Sequence, residues 1–140
     1  MILKSTELNN LKLNLYNFYL FYGANEGLKE VTIKNLFEIN YQDKIYRYEE
    51  KEILDNINNF FDSVLTKSFF DNEKLIIINR ATDKIRDVLE ELIEKKPEDI
   101  KIILNSKNLE KKSALRRIFE KDKSIICVPF YEDNNQTLNS

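Results

Sequence analysis

The sequence predicts an α/β domain, a three-layer sandwich with helices packed on both faces of a five-stranded, mostly parallel sheet. Apolar runs occur five times, at 18–22, 44–48, 75–78, 100–104 and 124–128, and stretches with apolar residues at helical spacing separate them. Most of these runs are too continuously apolar to keep one face in water, as expected of parallel strands covered on both sides. The two glycines of the 140 residues, Gly23 and Gly27, both directly follow the first run, so this bend alone has glycine's freedom to reach positive φ.

In chain order, Ser5-Thr6-Glu7 caps a short helix carrying Leu8, Leu11 and Leu15, although the alternation Leu11-Leu13-Leu15 also suits a strand. Phe18 to Tyr22 is the first strand, central in the sheet. After the glycine turn, Leu28, Val31, Thr32, Asn35, Leu36 and Ile39 follow the i, i+3, i+4, i+7 pattern of one amphipathic helix ending near Asn40. Lys44 to Tyr48 is a shorter strand whose charges place it at a sheet edge.

Ile53, Leu54, Ile57, Phe60, Phe61, Val64 and Leu65 line the cleanest helical stripe in the chain. The β-branched run Leu75-Ile76-Ile77-Ile78 is a buried parallel strand. Asp83 opens a helix with Ile85, Val88, Leu89, Leu92 and Ile93 inward, ended by Pro97. Strand 100–104, a helix marked by Leu115, Ile118 and Phe119, and strand 124–128, closed by Pro129, complete the order.

Composition excludes several chemistries. With no histidine there is no imidazole base, no zinc-binding imidazole and no Ser-His or Cys-His pair. The single Cys127 lies in the apolar run Ile125-Ile126-Cys127-Val128 and reads as a buried, inert thiol; one cysteine permits no internal disulfide. A net charge of −2 gives no whole-molecule field for nucleic acid, so any basic site is local. Nowhere do some ~18 uncharged apolar residues run together, and the chain reads as cytoplasmic, with no membrane partner.

Three places could carry function. A strand, a glycine turn and a helix is the geometry that cradles phosphates, but a working phosphate loop reads G-x-x-x-x-G-K-[ST]. Here Gly23 and Gly27 are one residue too close, Leu28 stands for the lysine and Lys29 for the hydroxyl. The strand at 75–78 runs out into Asn79-Arg80, where carboxylates should hold magnesium and the attacking water. The residues therefore make this turn structural, a degenerate nucleotide loop with no catalytic residue, no cofactor and no metal. No strand exits into an aspartate that could accept a phosphoryl group, the exits being Gly23, Glu49, Asn79, Asn105 and Pro129.

The second place is a basic cluster, Lys107, Lys111, Lys112, Arg116, Arg117, Lys121 and Lys123, of which Lys111, Lys112, Arg116 and Arg117 are candidate contacts to DNA or to a partner subunit. Most such clusters are solvated faces, and the absence of interleaved aromatics argues against stacking of single-stranded bases. The third is Ser68-Phe69-Phe70, adjacent aromatics in a polar segment after a completed helix. Phe69 could continue the stripe of Phe61 and Leu65 at i+4 and lie in the core; alternatively the pair is an exposed apolar prong of the kind that anchors an interface.

Taken together, the chain resembles the N-terminal domain of the delta subunit of the bacterial DNA polymerase III clamp loader. Four stretches carry the resemblance: Tyr19-Leu20-Phe21-Tyr22-Gly23 with its broken loop; Ser68-Phe69-Phe70 ahead of Leu75-Ile76-Ile77-Ile78; Ile102-Ile103-Leu104 followed by 109–115; and the last strand with Phe130-Tyr131-Glu132. The resemblance implies an AAA+ fold over 1–132 that does not bind ATP, and a polar tail, 133–140, beginning a linker towards lid and collar domains. It implies that Phe69 and Phe70 enter an apolar pocket on the ring-shaped sliding clamp, the beta ring, with Ser68 positioning them. Phe69 stands where the family commonly has leucine.

The implied mechanism is mechanical: prong insertion favours a clamp conformation in which one ring interface is open, a shift of a conformational equilibrium. Implied partners are the sliding clamp, the other loader subunits, and DNA indirectly through the complex. The domain is then a non-catalytic part of a DNA-directed DNA polymerase holoenzyme, acting in DNA replication. The contrasting expectation is a nucleotide-binding enzyme domain that uses a variant loop at Gly23 to Gly27. A plain α/β scaffold whose basic helix binds nucleic acid is a third.

Overall fold

A computed structural model describes residues 1–10, 15–41, 44–65, 73–97 and 100–131. Five parallel strands, β1 (Phe18–Tyr22), β2 (Ile45–Glu49), β3 (Lys74–Asn79), β4 (Ile100–Ser106) and β5 (Ile126–Pro129), pair in the order β2-β3-β4-β1-β5. Every described pairing is parallel, which sharpens "mostly parallel" and requires a crossover after each strand. As its charges predicted, β2 is an edge. The other edge is β5, against which Ile2 forms a parallel bridge to Cys127, with Cys127 N–H donating to Met1 O at 2.8 Å and Leu3 N–H to Cys127 O at 2.9 Å. That added stretch of chain satisfies backbone groups a bare edge would expose.

Alternation along the strands divides the core in two. Phe18, Leu20 and Tyr22 of β1 face one layer with Ile76, Ile78, Ile102, Leu104 and Cys127. Tyr19 and Phe21 face the opposite layer with Leu75, Ile77, Ile103, Ile126 and Val128. The first layer is covered by helices α3 (Glu50–Asp55), α4 (Ile57–Leu65), α5 (Arg86–Lys95) and α6 (Ala114–Lys121), through Ile53, Phe60, Val64, Leu89, Leu92, Leu115 and Phe119. The second is covered by α1 (Glu26–Ile33) and the N-terminal segment, through Ile33, Phe37 and Leu8. This is the predicted three-layer sandwich.

Three elements depart from expectation. The N-terminal helix is a 3-10 turn, Ser5–Asn10, and residues 11–14 lie outside the described residues. The stripe at 53–65 is two helices, broken at Asn56, whose φ of −152° leaves the helical region. Asn56 then caps α4, its side-chain oxygen accepting from Asn59 N–H at 3.4 Å, while Glu49 and Glu52 form a reciprocal capping box on α3. The break turns Ile57 outward, to 38% exposure.

The helix after the glycine turn presents a different face from the predicted one. Leu28, Val31 and Ile39 are 40%, 53% and 64% exposed, whereas Lys29, Ile33 and Phe37, spaced i, i+4, i+8, are buried. α1 runs on through a π-helical stretch, Lys34–Glu38, into α2 (Ile39–Tyr41), and the Ile39 N–H reaches back five residues to Lys34 O. Aromatic packing fixes the buried face: the Phe37 ring meets Tyr19 edge-on at 4.9 Å and Phe21 at 6.0 Å.

Phe37→Ala is therefore expected to lower the unfolding free energy by about 3–5 kcal/mol, and Leu28→Ala or Val31→Ala by under about 0.5–1 kcal/mol each, in urea denaturation. The reverse ranking would restore the stripe read from periodicity.

Candidate functional site

In a parallel sheet all strands end at one rim, where chemistry usually sits in α/β folds. At this rim β1 exits into Gly23, the one glycine with positive φ, +122°. A Cβ on Gly23 would lie 2.1 Å from Phe130 O and 2.7 Å from Phe130 C. Glycine is required because the backbone leaving β5 crosses directly over the turn. Gly27 is different: it lies within α1, and its added Cβ would meet only Asn25 Oδ1, at 4.0 Å. The two glycines of the predicted loop have separate roles, and only Gly23 is sterically fixed.

A phosphate-binding turn offers free amides. Here five of those amides are engaged within the chain. Gly23 N–H donates to Lys107 O at 3.2 Å, Asn25 N–H to Phe130 O at 3.2 Å and Glu26 N–H to Ala24 O at 2.9 Å. Leu28 N–H is capped by Asn25 Oδ1 at 3.1 Å, and Lys29 N–H bonds Asn25 O at 3.1 Å. Phe130 N–H in turn donates to Tyr22 O at 2.7 Å, so the chain after β5 is tied to the turn from both sides.

Lys29, which stands where the hydroxyl of a working loop would be, is fully buried. Its Nζ donates to Ser106 O at 2.7 Å and pairs with Glu26 Oε2 at 2.9 Å. Its cation thus joins α1 to the end of β4 instead of facing an anion. At the adjacent strand exits, Asn105 Nδ2 donates to Asn79 Oδ1 at 3.2 Å, a neutral amide pair where hydrolysis would use carboxylates.

Sequence reasoning did not foresee the rest of the rim. Glu50, 7% exposed, accepts from Thr82 N–H at 2.6 Å and Thr82 Oγ1 at 2.8 Å, fastening α3 to the loop after β3. Asp83 Oδ1 accepts from Ser113 Oγ at 2.6 Å and Leu115 N–H at 3.1 Å, fastening that loop to the start of α6. Partial burial alone would push the Asp83 carboxyl up, but the bonds from Ser113, Leu115 and Ala114, with the charge of Arg86, together hold it below its usual range. A Ser-x-x-Arg cap before an apolar turn was a visible signal for the α6 start; nothing local marked Asp83 as its partner.

Of the basic candidates, Lys111, Lys112 and Arg117 are exposed. Arg116 turns inward, its side chain only 17% exposed. Its Nε donates to Glu120 Oε2 at 2.7 Å, its Nη1 to Leu109 O at 3.1 Å, and its guanidinium lies 5.0 Å from the centre of the Tyr22 ring. Ser68, Phe69 and Phe70 lie outside the described residues, as does the tail from 132 onward. The residues on either side are described: α4 ends at Leu65, and β3, an interior strand, begins at Lys74. There Lys74 Nζ donates to Ser63 O at 3.3 Å and Tyr41 Oη to Glu73 Oε2 at 2.8 Å. Cys127 is buried, which pushes its thiol up to about 12, as an inert thiol should be.

Among the described residues no group of His, Cys, Asp or Glu could hold a metal ion, and no helix is long and apolar enough to cross a membrane.

An all-parallel sheet with a glycine turn at its first strand exit, covered on both faces, defines the chain as an AAA+-like α/β core with a closed loop. The sequence profile of the family described as DNA polymerase III, delta subunit, matches residues 19–128, and the chain belongs to that family. In structure it is similar to the Bacillus subtilis DNA clamp loader delta protein YqeN, with a TM-score of 0.67 and 16% identity, over 94% of this chain and 42% of that one. The chain thus spans less than half the length of that protein. Among curated proteins, no sequence matches significantly.

Gly23→Ala is expected to cost about 3 kcal/mol or more in thermal or urea unfolding, because strain and a backbone clash add, whereas Gly27→Ala is neutral or stabilising by up to about 1 kcal/mol. A lowered carboxylate pKa contributes stability that is present above the unfolded-state value and lost as pH falls through the folded one. Asp83→Asn should accordingly be less stable than the native chain at pH 7. The gap should narrow as pH falls below the ordinary aspartate range, as followed by urea midpoints across the acid range.

Proposed function

We propose that this domain is the part of a clamp-loader delta subunit that grips the ring-shaped sliding clamp and biases it towards an open form, without hydrolysing ATP. Ser68, Phe69 and Phe70 are the proposed contact, the two rings filling an apolar pocket and the serine positioning them. The observation that carries the reading is the family match over 19–128, which spans this segment. It is supported by the segment's place in the chain, between the end of α4 and the start of β3. Two adjacent aromatic side chains supply the apolar area of an interface anchor, and truncating such anchors costs about 2 kcal/mol or more.

The absence of hydrolysis is supported by the closed turn. Five amides of the turn, from Gly23, Asn25, Glu26, Leu28 and Lys29, are paired internally, Lys29 is buried against Ser106 O, and an Asn79–Asn105 pair stands where acidic residues would be. Those observations weigh against the nucleotide-binding enzyme reading. The other loader subunits, and DNA through the assembled complex, are further proposed partners, and a cytoplasmic setting goes with that role.

Co-elution of the chain with its cognate clamp on size exclusion tests the reading. The native chain is expected to co-elute, and Phe69→Ala/Phe70→Ala to lose clamp binding by tenfold or more with an unchanged unfolding midpoint. Undiminished binding by the double variant, or its unfolding, would remove the prong from the proposal.

A further inference from the structure

The α-amino group of Met1 is built into the fold. Its nitrogen, an ammonium, donates to Phe119 O at 2.5 Å, Asp122 O at 2.8 Å and Ile125 O at 2.9 Å. Phe119 O belongs to the last turn of α6, whose carbonyls lack donors within the helix, and a cation there also meets the negative end of the helix dipole. The following turn brings the other two acceptors round, and it is held by Asp122 Oδ1, which accepts from Ser124 N–H at 2.8 Å and Ser124 Oγ at 2.6 Å. All three acceptors are backbone carbonyls, so the course of the chain itself fixes where the ammonium sits.

The same residue fastens the edge of the sheet. Cys127 N–H donates to Met1 O and Leu3 N–H to Cys127 O, so residues 1–3 form a strap along β5 whose first nitrogen holds the end of α6. Three acceptors call for three N–H donors, which an ammonium has. An acylated nitrogen keeps one donor, loses the charge and puts a carbon where a proton now points at a carbonyl. Asp122 registers the cation too: its carboxyl is held below the usual range by the Ser124 hydroxyl and N–H, and the nearby ammonium adds to that pull. Desolvation lowers the pKa of the amine itself, against the charges of Cys127, Asp122 and Glu120, so its protonated form is the one to examine in mildly acidic solution.

We propose that Met1 is a modification-sensitive latch: a free α-ammonium fastens residues 1–3 onto β5 and the end of α6, and an N-formyl or N-acetyl group at the same nitrogen releases them. The released strap leaves β5 as a bare sheet edge and the last carbonyls of α6 without donors. Acylation therefore acts on one edge of the domain, while the pairing of β3 with β2 and β4 stays as it is. The inference does not rest on the clamp-gripping reading, and its test contains no clamp.

Amide hydrogen exchange at about pH 6 tests it, read residue by residue on the 140-residue chain with a free Met1, on the same chain acetylated at Met1 alone, and on one carrying Gly-Ser ahead of Met1. A chain carrying Gly-Ser after Ser140 controls for added length. In both blocked forms the Leu3 and Cys127 amides are expected to exchange about tenfold or more faster relative to those of Ile76, Ile77 and Ile78 in β3, and the control is expected to match the free chain. Leu3 and Cys127 rates that are unchanged by acetylation and by the Gly-Ser extension would overturn the proposal. So would rates that rise only in step with Ile76 to Ile78, since that pattern marks a general loss of stability and no local latch.

Discussion

The closure of the first strand's exit by the backbone of Phe130 is the constraint on which the rest of the rim depends. Because Phe130 O lies where any side chain at position 23 would begin, residue 23 must be glycine, and its positive φ sends the chain into α1 at one fixed angle. That angle sets which face of α1 meets the sheet. It places Lys29 against the end of β4 and lines up Ile33 and Phe37 beneath it, so a local steric condition at the turn is transmitted into the core of one entire layer. The turn is thereby crossed by its own chain, and five of its amide donors, from Gly23, Asn25, Glu26, Leu28 and Lys29, are consumed internally.

Much of this architecture was legible because it is written in periodicity. Strand runs such as Leu75-Ile76-Ile77-Ile78 are apolar on both faces only if both faces are covered, and the charges of the run at 44–48 pointed to an edge. The stripe after the glycine turn misled for an identifiable reason. Two apolar rows share that helix, and the one that faces the core begins with a lysine. A lysine can be interior only when a carbonyl such as Ser106 O waits for its ammonium, and that partner is 77 residues away in sequence. The break at Asn56 was similarly hidden, since a single non-helical residue leaves the apolar spacing on both sides almost intact.

Site residues were legible to unequal degrees. Defects in the glycine loop were countable from the sequence, whereas its closure by Phe130 was not, because that contact joins residues over a hundred positions apart. Arg116 and Arg117 are adjacent and chemically alike, yet a 100° rotation about the helix axis makes one a strut between Glu120 and Leu109 and the other a free surface charge. The described strand-exit rim is thus locked by backbone and buried polar bonds, while exposed basic side chains lie on the outer side of α6.

The internally satisfied turn is most directly tested by following the backbone amide resonances of Gly23 to Lys29 during titration with Mg-ATP. The account predicts that the resonances of Gly23, Asn25, Glu26, Leu28 and Lys29 do not shift in a saturable way, because their hydrogens are already committed to Lys107, Phe130, Ala24 and Asn25. Saturable shifts concentrated at Gly23 to Lys29 would contradict it and return the turn to the nucleotide-binding class.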